Sequence, residues 1–413
     1  MAEQRRRCAT AGLSVALGAA LMAPTVAVAA PAAPTATVIE QSYTVGAGQP
    51  FSAVLATHGL GRAAGLTAVI AVHDPVDLAT TDDPLAILDT FTTTEPPTGS
   101  PTDEVEVDID VGADSTVDLA IPVTVDDTAT ADALDAAKPG VAPVTITIRR
   151  GEHLITSTST FVSIVDDSTV PATRVALLAG VADPGPTATD EQRERASAEL
   201  DTIVELADAV DAPLTLQVPP MIATEHGGLQ EAFVGDQLLA LPSLPFDPSS
   251  IAAIERNALF VDRLVDGERL LADAAPLARR GRGAWTVDAP LTAAGGRLLR
   301  DLGTQVLVVD PTTTDGWTDG ATADMFAVEL GVRDLPGVVV SPLGEALAAP
   351  SSSPGEANSR AVAVLATLSV LRRHGDHPVT ALGLPGLAAP DPAVTAQLAD
   401  YASSSSEFLV VTA

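Results

Sequence analysis

Short apolar runs alternate with segments of helical periodicity about seven times between residues 174 and 413. The stretch from Ala284 to Pro311 (AWTVDAPLTAAGGRLLRDLGTQVLVVDP) shows the pattern clearly, because two apolar runs flank a segment whose leucines recur at helical spacing. Runs of this kind are typical of strands that are buried on both faces of a parallel sheet. Regular alternation of this length predicts either a (β/α) barrel or an open doubly wound sheet.

The first strand and helix of this series are predicted most fully. RVALLAGVADP (174–184) is an apolar strand, and residues 190–210 carry apolar side chains at helical spacing with charged residues on the other face. Thr189 is a suitable N-cap, and Asp190 and Glu191 suit the first turn. The next strands are predicted at 213–222 (PLTLQVPPMI) and 237–246 (QLLALPSLPF).

No glycine-rich phosphate-binding turn follows the first of these strands. An open sheet that is built around a nucleotide usually has one. We therefore predict an irregular (β/α) barrel over residues 174–413, of the type found in glycoside hydrolases and deacetylases. We expect neither a nucleotide nor another cofactor in it.

Residues 38–166 follow a different pattern, with short β-branched or alternating runs separated by turn residues. Because this stretch lacks helical periodicity, it predicts an all-β immunoglobulin-like sandwich. The chain is then multidomain, with a hinge at Asp166–Thr173 before the α/β domain. Glu106, Asp108 and Asp110 alternate with apolar residues, which indicates a solvated outer strand face rather than a calcium site.

The first 29 residues predict a secretory signal peptide. Arg5, Arg6 and Arg7 precede an apolar run, and small residues at 27–29 (AVA) suit cleavage. A retained membrane anchor is the alternative. Residues 30–37 (APAAPTAT) are predicted as a linker. We expect a secreted protein of the cell envelope, and no later apolar run reaches the ~18 residues that a membrane span needs.

The formal net charge is −32 at pH 7. Such acidity argues against nucleic acid and anionic membrane surfaces as partners. The chain is nevertheless 46% hydrophobic with a mean hydropathy of +0.28, which favours folded domains over disorder. Its single cysteine, Cys8, lies in the predicted signal peptide, so the mature protein would have no disulfide.

Four aspartates follow strand-like runs of the α/β domain: Asp183, Asp247, Asp288 and Asp310. Barrel enzymes place their chemistry at the C-terminal ends of the strands, and two carboxylates on either side of a sugar can act as acid and base. These four residues are therefore candidate catalytic groups. The alternative is ordinary turn and capping chemistry, since aspartate before proline or near a helix start serves that purpose too.

Three aromatic residues lie near the same strand ends: Phe246, Trp285 and Trp317. Sugar rings commonly stack on such side chains, so these are candidate binding residues. His226, which follows the second predicted strand, is a fourth candidate.

The histidines do not form a convincing metal site. Asp183 with His226 partly matches the Asp-His-His site of deacetylases, but no second histidine stands at ligand spacing. His374 and His377 are better explained as residues at a helix C-terminus. We predict no metal.

Three segments of the α/β domain carry a resemblance. They are the first strand with Asp183 at its end, Leu244-Pro245-Phe246-Asp247-Pro248, and Trp285-Thr286-Val287-Asp288-Ala289. They resemble an uncharacterised family of secreted, envelope-associated proteins from high-GC Gram-positive bacteria, often encoded beside the lipid II flippase. In this chain Phe246 replaces the family's tyrosine, and the third segment lacks the family's proline and glycine. The resemblance implies location and architecture but no reaction.

Two functions remain open at this point. In the first, which we prefer, this is a non-catalytic envelope protein that binds a cell-wall polysaccharide or an envelope protein. In the second, it is a carbohydrate-active enzyme of glycoside hydrolase or polysaccharide deacetylase type that uses the strand-end aspartates. The first is preferred because no complete catalytic constellation is present and two positions of the Asp288 motif have been lost.

Overall fold

The computed structural model describes residues 33–46, 49–60, 65–76, 83–92, 99–124, 134–135, 138–165, 171–287, 289–310, 313, 325–329, 334–374 and 379–413. The predicted signal peptide lies outside these ranges. None of the described helices is both long enough and apolar enough to cross a membrane.

Nine strands and one helix form the N-terminal part of the described chain. They are β1 (Thr35–Gln41), β2 (Thr44–Gly46), β3 (Pro50–His58), β4 (Leu66–Val72), α1 (Pro84–Thr92), β5 (Asp103–Ile109), β6 (Thr116–Thr124), β7 (Leu134–Asp135), β8 (Gly140–Arg150) and β9 (His153–Val165). One sheet has the order β1-β3-β6-β7 and the other the order β2-β9-β8-β4-β5. β1 begins inside the predicted linker.

The two N-terminal sheets share one apolar core. Alternate residues of β3, such as Phe51 and Leu55, are buried with Ile70 of β4 and Ile146 of β8, which belong to the other sheet. The prediction that this part is entirely β was wrong, because α1 lies between β4 and β5. Its buried residues pack in the core of the C-terminal part instead, so α1 is part of the contact between the two halves.

The C-terminal part begins at β10, close to the predicted start at residue 174. Its elements are β10 (Thr173–Gly180), α2 (Asp190–Ala209), β11 (Thr215–Gln217), α3 (Pro220–His226), β12 (Gln237–Leu239), α4 (Pro248–Ala253), α5 (Asn257–Ala274), β13 (Arg279–Gly281), β14 (Ala284–Val287), α6 (Ala293–Asp301), β15 (Val306–Val309), β16 (Met325–Glu329), β17 (Asp334–Ser341), α7 (Pro354–His374), β18 (Val379–Leu382), α8 (Pro392–Ser404) and β19 (Phe408–Val411). Within the predicted ranges 213–222 and 237–246, the structure has only the short strands β11 and β12. Prolines stand shortly after both strands, and a proline cannot donate a backbone hydrogen bond to a sheet.

Eight parallel strands curve into a nearly closed barrel-like sheet, which confirms the predicted barrel in outline. Their order is β13-β12-β11-β10-β18-β17-β15-β14. β13 and β14, the two ends of this path, are separated along the chain only by Arg282 and Gly283. β19 pairs with the first half of β10, whose second half pairs with β11. Because β11 and β19 both pair with β10, the barrel is irregular.

The interior of the barrel is filled with side chains. Ala176 and Leu178 of β10 contact a core that includes Leu239, Val308 and Val340 from other strands. The alternate residues of β10 (Val175, Leu177 and Ala179) face outward and pack in the core that contains α2, α7 and α8. The interior is therefore a packed core and not a channel, so ligand sites are expected at its rim.

The two halves form one compact unit, Pro34–Ala413, and buried polar contacts join them. The Tyr401 hydroxyl of α8 accepts a hydrogen bond from the Gln41 N–H of β1 at 2.9 Å and donates one to Asn358 Oδ1 at 2.6 Å. The Gln397 side-chain amide also donates to the Tyr401 hydroxyl, at 2.6 Å. These bonds satisfy polar groups that the interface removes from water.

Glu407, just before β19, is the centre of a second buried network. Its carboxylate accepts a bond from Arg372 at 2.7 Å and lies 3.4 Å from Arg373, while only 1% of its side chain is exposed. Ser369 donates to the other carboxylate oxygen at 3.0 Å and contacts the Tyr43 hydroxyl at 2.8 Å. Burial raises the pKa of Tyr43, and the nearby Glu407 carboxylate raises it further.

Candidate functional site

The loops after β10, β11 and β12 enclose an open pocket of about 190 Å³, which we call the rim pocket. Its polar side chains are Asp183, Arg193, Glu225 and Ser243. Its remaining lining consists of Pro184, Gly185, Pro186, Met221, Ile222, Leu244 and Pro245. The pocket lies at the C-terminal strand ends, where barrels place their ligand sites.

Asp183 reaches the rim pocket because it holds the turn that follows β10. Its Oδ1 accepts a hydrogen bond from the Gly185 N–H at 2.8 Å, and Gly185 has a φ of 76°, which favours glycine. The chain then enters α2 through the predicted cap, where Thr189 and Gln192 bond each other's backbone N–H. One oxygen of the exposed Asp183 carboxylate thus holds the turn.

The other side of the rim pocket comes from α3. Met221 is 47% exposed, and Glu225 stands one turn further along the same helix. Arg193 of α2 lies 3.5 Å from Asp190, so its charge is partly matched within α2. Carboxylates beside proline and methionine side chains can accept hydrogen bonds from hydroxyl groups while apolar surfaces contact C–H groups.

His226 is placed away from this lining. Its Nε2 lies 2.8 Å from Asp201 Oδ1, and its Nδ1 lies 2.9 Å from the Gly227 carbonyl oxygen. These contacts attach the end of α3 to α2. The structure therefore gives His226 a role in joining two helices and does not bring it to Asp183's pocket.

Asp247 caps the first turn of α4. Its carboxylate accepts hydrogen bonds from the N–H groups of Ser249 at 3.0 Å and Ser250 at 2.9 Å, and from the Ser250 hydroxyl at 2.6 Å. Partial burial raises the pKa of Asp247, but the bonds from Ser250 and Ser249 outweigh it, so the pKa is lowered. This is the capping chemistry that the sequence left open.

Asp310 connects two strand ends. Its Oδ2 accepts a hydrogen bond from the Gly386 N–H at 2.8 Å, which joins the residue after β15 to the turn after β18. The described residues thus place three of the four predicted acids around the rim, but only Asp183 lines the rim pocket. Asp288 and Trp317 lie outside the described residues.

The two described aromatic candidates pack against the helices. Trp285 lies 5.8 Å from Phe260 of α5 between ring centroids, at an interplanar angle of 49°. Phe246 is partly buried and packs against the same core. Because Ala284 faces the barrel interior, the strand alternation turns Trp285 outward. Neither ring is part of the rim pocket lining.

A polar contact inside the barrel was not foreseen from the sequence. Thr286 of β14 donates a hydrogen bond to the Gln217 side-chain oxygen at the end of β11, although these strands are not neighbours in the sheet. Gly180 makes room for this glutamine, since a Cβ there would lie 2.8 Å from Gln217 Cβ. The only signal in the sequence is the presence of polar residues within the runs TLQ and AWTV.

Within the described ranges, no group of three or more histidine, cysteine, aspartate or glutamate side chains could hold a metal ion. A comparison with protein-family models gives no match, and a search of curated proteins gives none. The geometry of the rim is therefore what indicates a function.

Proposed function

We propose that this chain is a non-catalytic glycan-binding protein whose rim pocket takes a segment of cell-wall polysaccharide. The observation that carries the proposal is how the described strand-end acids are used. Asp183, Asp247 and Asp310 each accept hydrogen bonds from backbone N–H groups of turns or helix starts. Hydrogen bonds of this kind hold a carboxylate in a fixed position, which suits binding.

The same contacts weaken the case for hydrolysis by these aspartates. A general acid for glycoside cleavage needs a raised pKa, whereas the pKa of Asp247 is lowered. Asp183 is the only one of the three in the rim pocket. The acid and its partner must flank a single glycosidic bond.

One observation favours the alternative, a carbohydrate-active enzyme. Glu225 of α3 is a second carboxylate in the rim pocket with Asp183. A pair of carboxyl groups in one pocket is what glycoside hydrolysis uses. The alternative therefore assigns catalysis to Asp183 and Glu225 rather than to the strand-end aspartates as a set.

The location of the protein is part of the same proposal. The arginines at 5–7, the apolar run and the small residues at 27–29 support secretion to the cell envelope. The three motif segments around Asp183, Phe246 and Trp285 support membership of the envelope-associated family. We also assign the two-sheet N-terminal part to the immunoglobulin-like class, on the basis of its strand number and its shared core.

The test is a binding titration with residues 30–413, which contain the whole compact unit. Peptidoglycan and arabinogalactan fragments are titrated into the wild type, Asp183→Asn and a control, Glu231→Gln, whose exposed residue lies outside the rim pocket. We expect one fragment to bind and Asp183→Asn to weaken it about tenfold, the cost of one hydrogen bond to a charged group. Glu231→Gln should bind as the wild type does.

Two results would overturn the proposal. The first is the absence of binding by every fragment at millimolar concentration. The second is binding that Asp183→Asn leaves unchanged, because the glycan would then occupy another surface.

A further inference from the structure

A second open pocket, of about 320 Å³, lies in the N-terminal part. We call it the hairpin pocket. One wall is formed by Pro34, Gly59 and Leu60, where β1 begins and β3 ends. The other wall is formed by the tip of the β8–β9 hairpin, with Arg150, His153, Leu154 and Ile155. The pocket thus opens between the ends of the two sheets.

An arginine and a histidine side chain stand together in this pocket. Arg150 and His153 are direct partners across the last pair of the hairpin. Over the ranges that the structure describes, neither makes an ion pair or a side-chain hydrogen bond, and Arg150 is exposed. Because the whole chain carries a net charge of −32, an arginine that makes no ion pair within the described residues is a local exception to its charge distribution. The Arg150 guanidinium, beside the imidazole of His153, favours an anionic ligand.

The rest of the lining is aliphatic. Leu154 is 57% exposed, while Leu60 is 6% exposed and Ile155 packs partly against the core of the two sheets. Among the described lining residues there is no phenylalanine, tyrosine or tryptophan, the side chains on which sugar rings commonly stack. Leu60, Leu154 and Ile155 together give the pocket an aliphatic surface, which fits an aliphatic group of a ligand.

We propose that the hairpin pocket binds the free C-terminal carboxylate of a peptide that ends in an aliphatic residue. The guanidinium of Arg150 presents paired N–H donors that match the two oxygens of a carboxylate. The aliphatic side chain next to that carboxylate would cover Leu154. The volume of the pocket falls at the lower end of the range for small-ligand sites, which suits one terminal residue better than a long segment.

The test uses the peptide acetyl-Ala-Val-Leu with a free carboxylate, and the same peptide as its C-terminal amide. Calorimetric titration into residues 30–413 should show that the acid binds and that the amide binds at least about tenfold more weakly. Arg150→Gln should weaken the acid by about tenfold. Arg149→Gln is the matched control, since this neighbouring exposed arginine is not part of the lining.

Any of four results would overturn this proposal: equal binding of acid and amide, no binding of either, unchanged binding by Arg150→Gln, or binding of decanoate without binding of the peptide. The last result would assign the pocket to fatty acids. Asp183→Asn should leave peptide binding unchanged, so failure here and failure of the rim pocket are distinguishable. Thermal unfolding of each variant checks that it is folded.

Discussion

Carboxylates serve different purposes at the barrel rim and at the contact between the two halves. At the rim, Asp183 and Asp247 are exposed and accept hydrogen bonds from neighbouring turns and helix starts. At the contact, Glu407 is almost fully buried and is matched by Arg372 and Arg373. The aspartates that suggested catalysis in the sequence thus accept hydrogen bonds within their own turns and helix starts, while the buried Glu407 belongs to a network that joins the two halves.

The difference shows how burial should be weighed against sequence position. Strand-end aspartates attract notice because barrel enzymes use that position. Glu407 lies in the unremarkable segment SSSSEFLVVTA near the C-terminus. A buried charge depends on its partners, however, so the removal of one partner costs far more than the loss of an exposed acid. The comparison can be tested by substitutions at both places.

The largest effect is expected for Glu407→Gln. The substitution removes the buried carboxylate charge that faces Arg372 and Arg373, so we expect the free energy of unfolding to fall by about 3 kcal/mol. Urea denaturation followed by circular dichroism measures it. If the free energy of unfolding fell as little as it does on substitution of an exposed acid, the contrast between the barrel rim and the contact of the two halves would not hold.

Tyr401→Phe should have the next largest effect. It removes the hydroxyl that bonds Gln41, Asn358 and Gln397, which leaves buried polar groups without a partner. We expect a loss of about 2 kcal/mol in the same denaturation assay. Tyr43→Phe is a useful companion, because the Tyr43 hydroxyl contacts two serine side chains, Ser369 and Ser163, where Tyr401 contacts three groups, and so its loss should cost less.

Asp247→Ala removes the cap of α4 without touching the rim pocket. We expect the free energy of unfolding to fall by about 1 kcal/mol, as for other N-caps. Asp247→Asn should restore most of this loss, because asparagine also caps helices. Failure of asparagine to restore it would mean that the charge, and not the hydrogen bonds, supports α4.

The same aspartate predicts a dependence on pH. Because its folded pKa lies below the ordinary value of 3.8, the ionised carboxylate stabilises the fold above that value. This contribution is lost as the pH falls through the folded pKa. The stability advantage of the wild type over Asp247→Asn should therefore shrink between pH 5 and pH 2, whereas an advantage that grows on acidification would refute the assignment.

Asp183→Asn should have the smallest effect on stability, within about 0.5 kcal/mol, because the side chain is exposed and asparagine can accept the same bond from Gly185. Thermal unfolding measures it. A large loss would mean that Asp183 mainly supports the fold, and the effect of this variant on glycan binding would then need another explanation.

The local sequence pattern was sufficient to predict most helices and strands of the C-terminal half and its general barrel-like form. The buried strands around Ala284–Val287 and Val306–Val309, and the Thr189 cap of α2, follow from short-range chemistry and are confirmed. Strand lengths were overestimated where prolines interrupt apolar runs, as after Gln217. The helix α1 was missed because its apolar residues face the other half of the molecule.

The site was harder to predict because it depends on register and on distant partners. Trp285 turns outward because Ala284 turns inward, which the sequence alone does not specify. Glu225 enters the rim pocket only because α3 begins immediately after β11. Glu407 finds its arginines 35 and 34 residues earlier in the chain. None of these contacts is encoded in a local motif.

The claim that the rim binds and does not cleave is tested most directly by a search for turnover. The protein is incubated at high concentration with peptidoglycan and arabinogalactan fragments, and new reducing ends and released acetate are measured. We predict neither product, for the wild type or for Glu225→Gln. Product formation by the wild type that Glu225→Gln or Asp183→Asn abolishes would contradict the account and establish an enzyme.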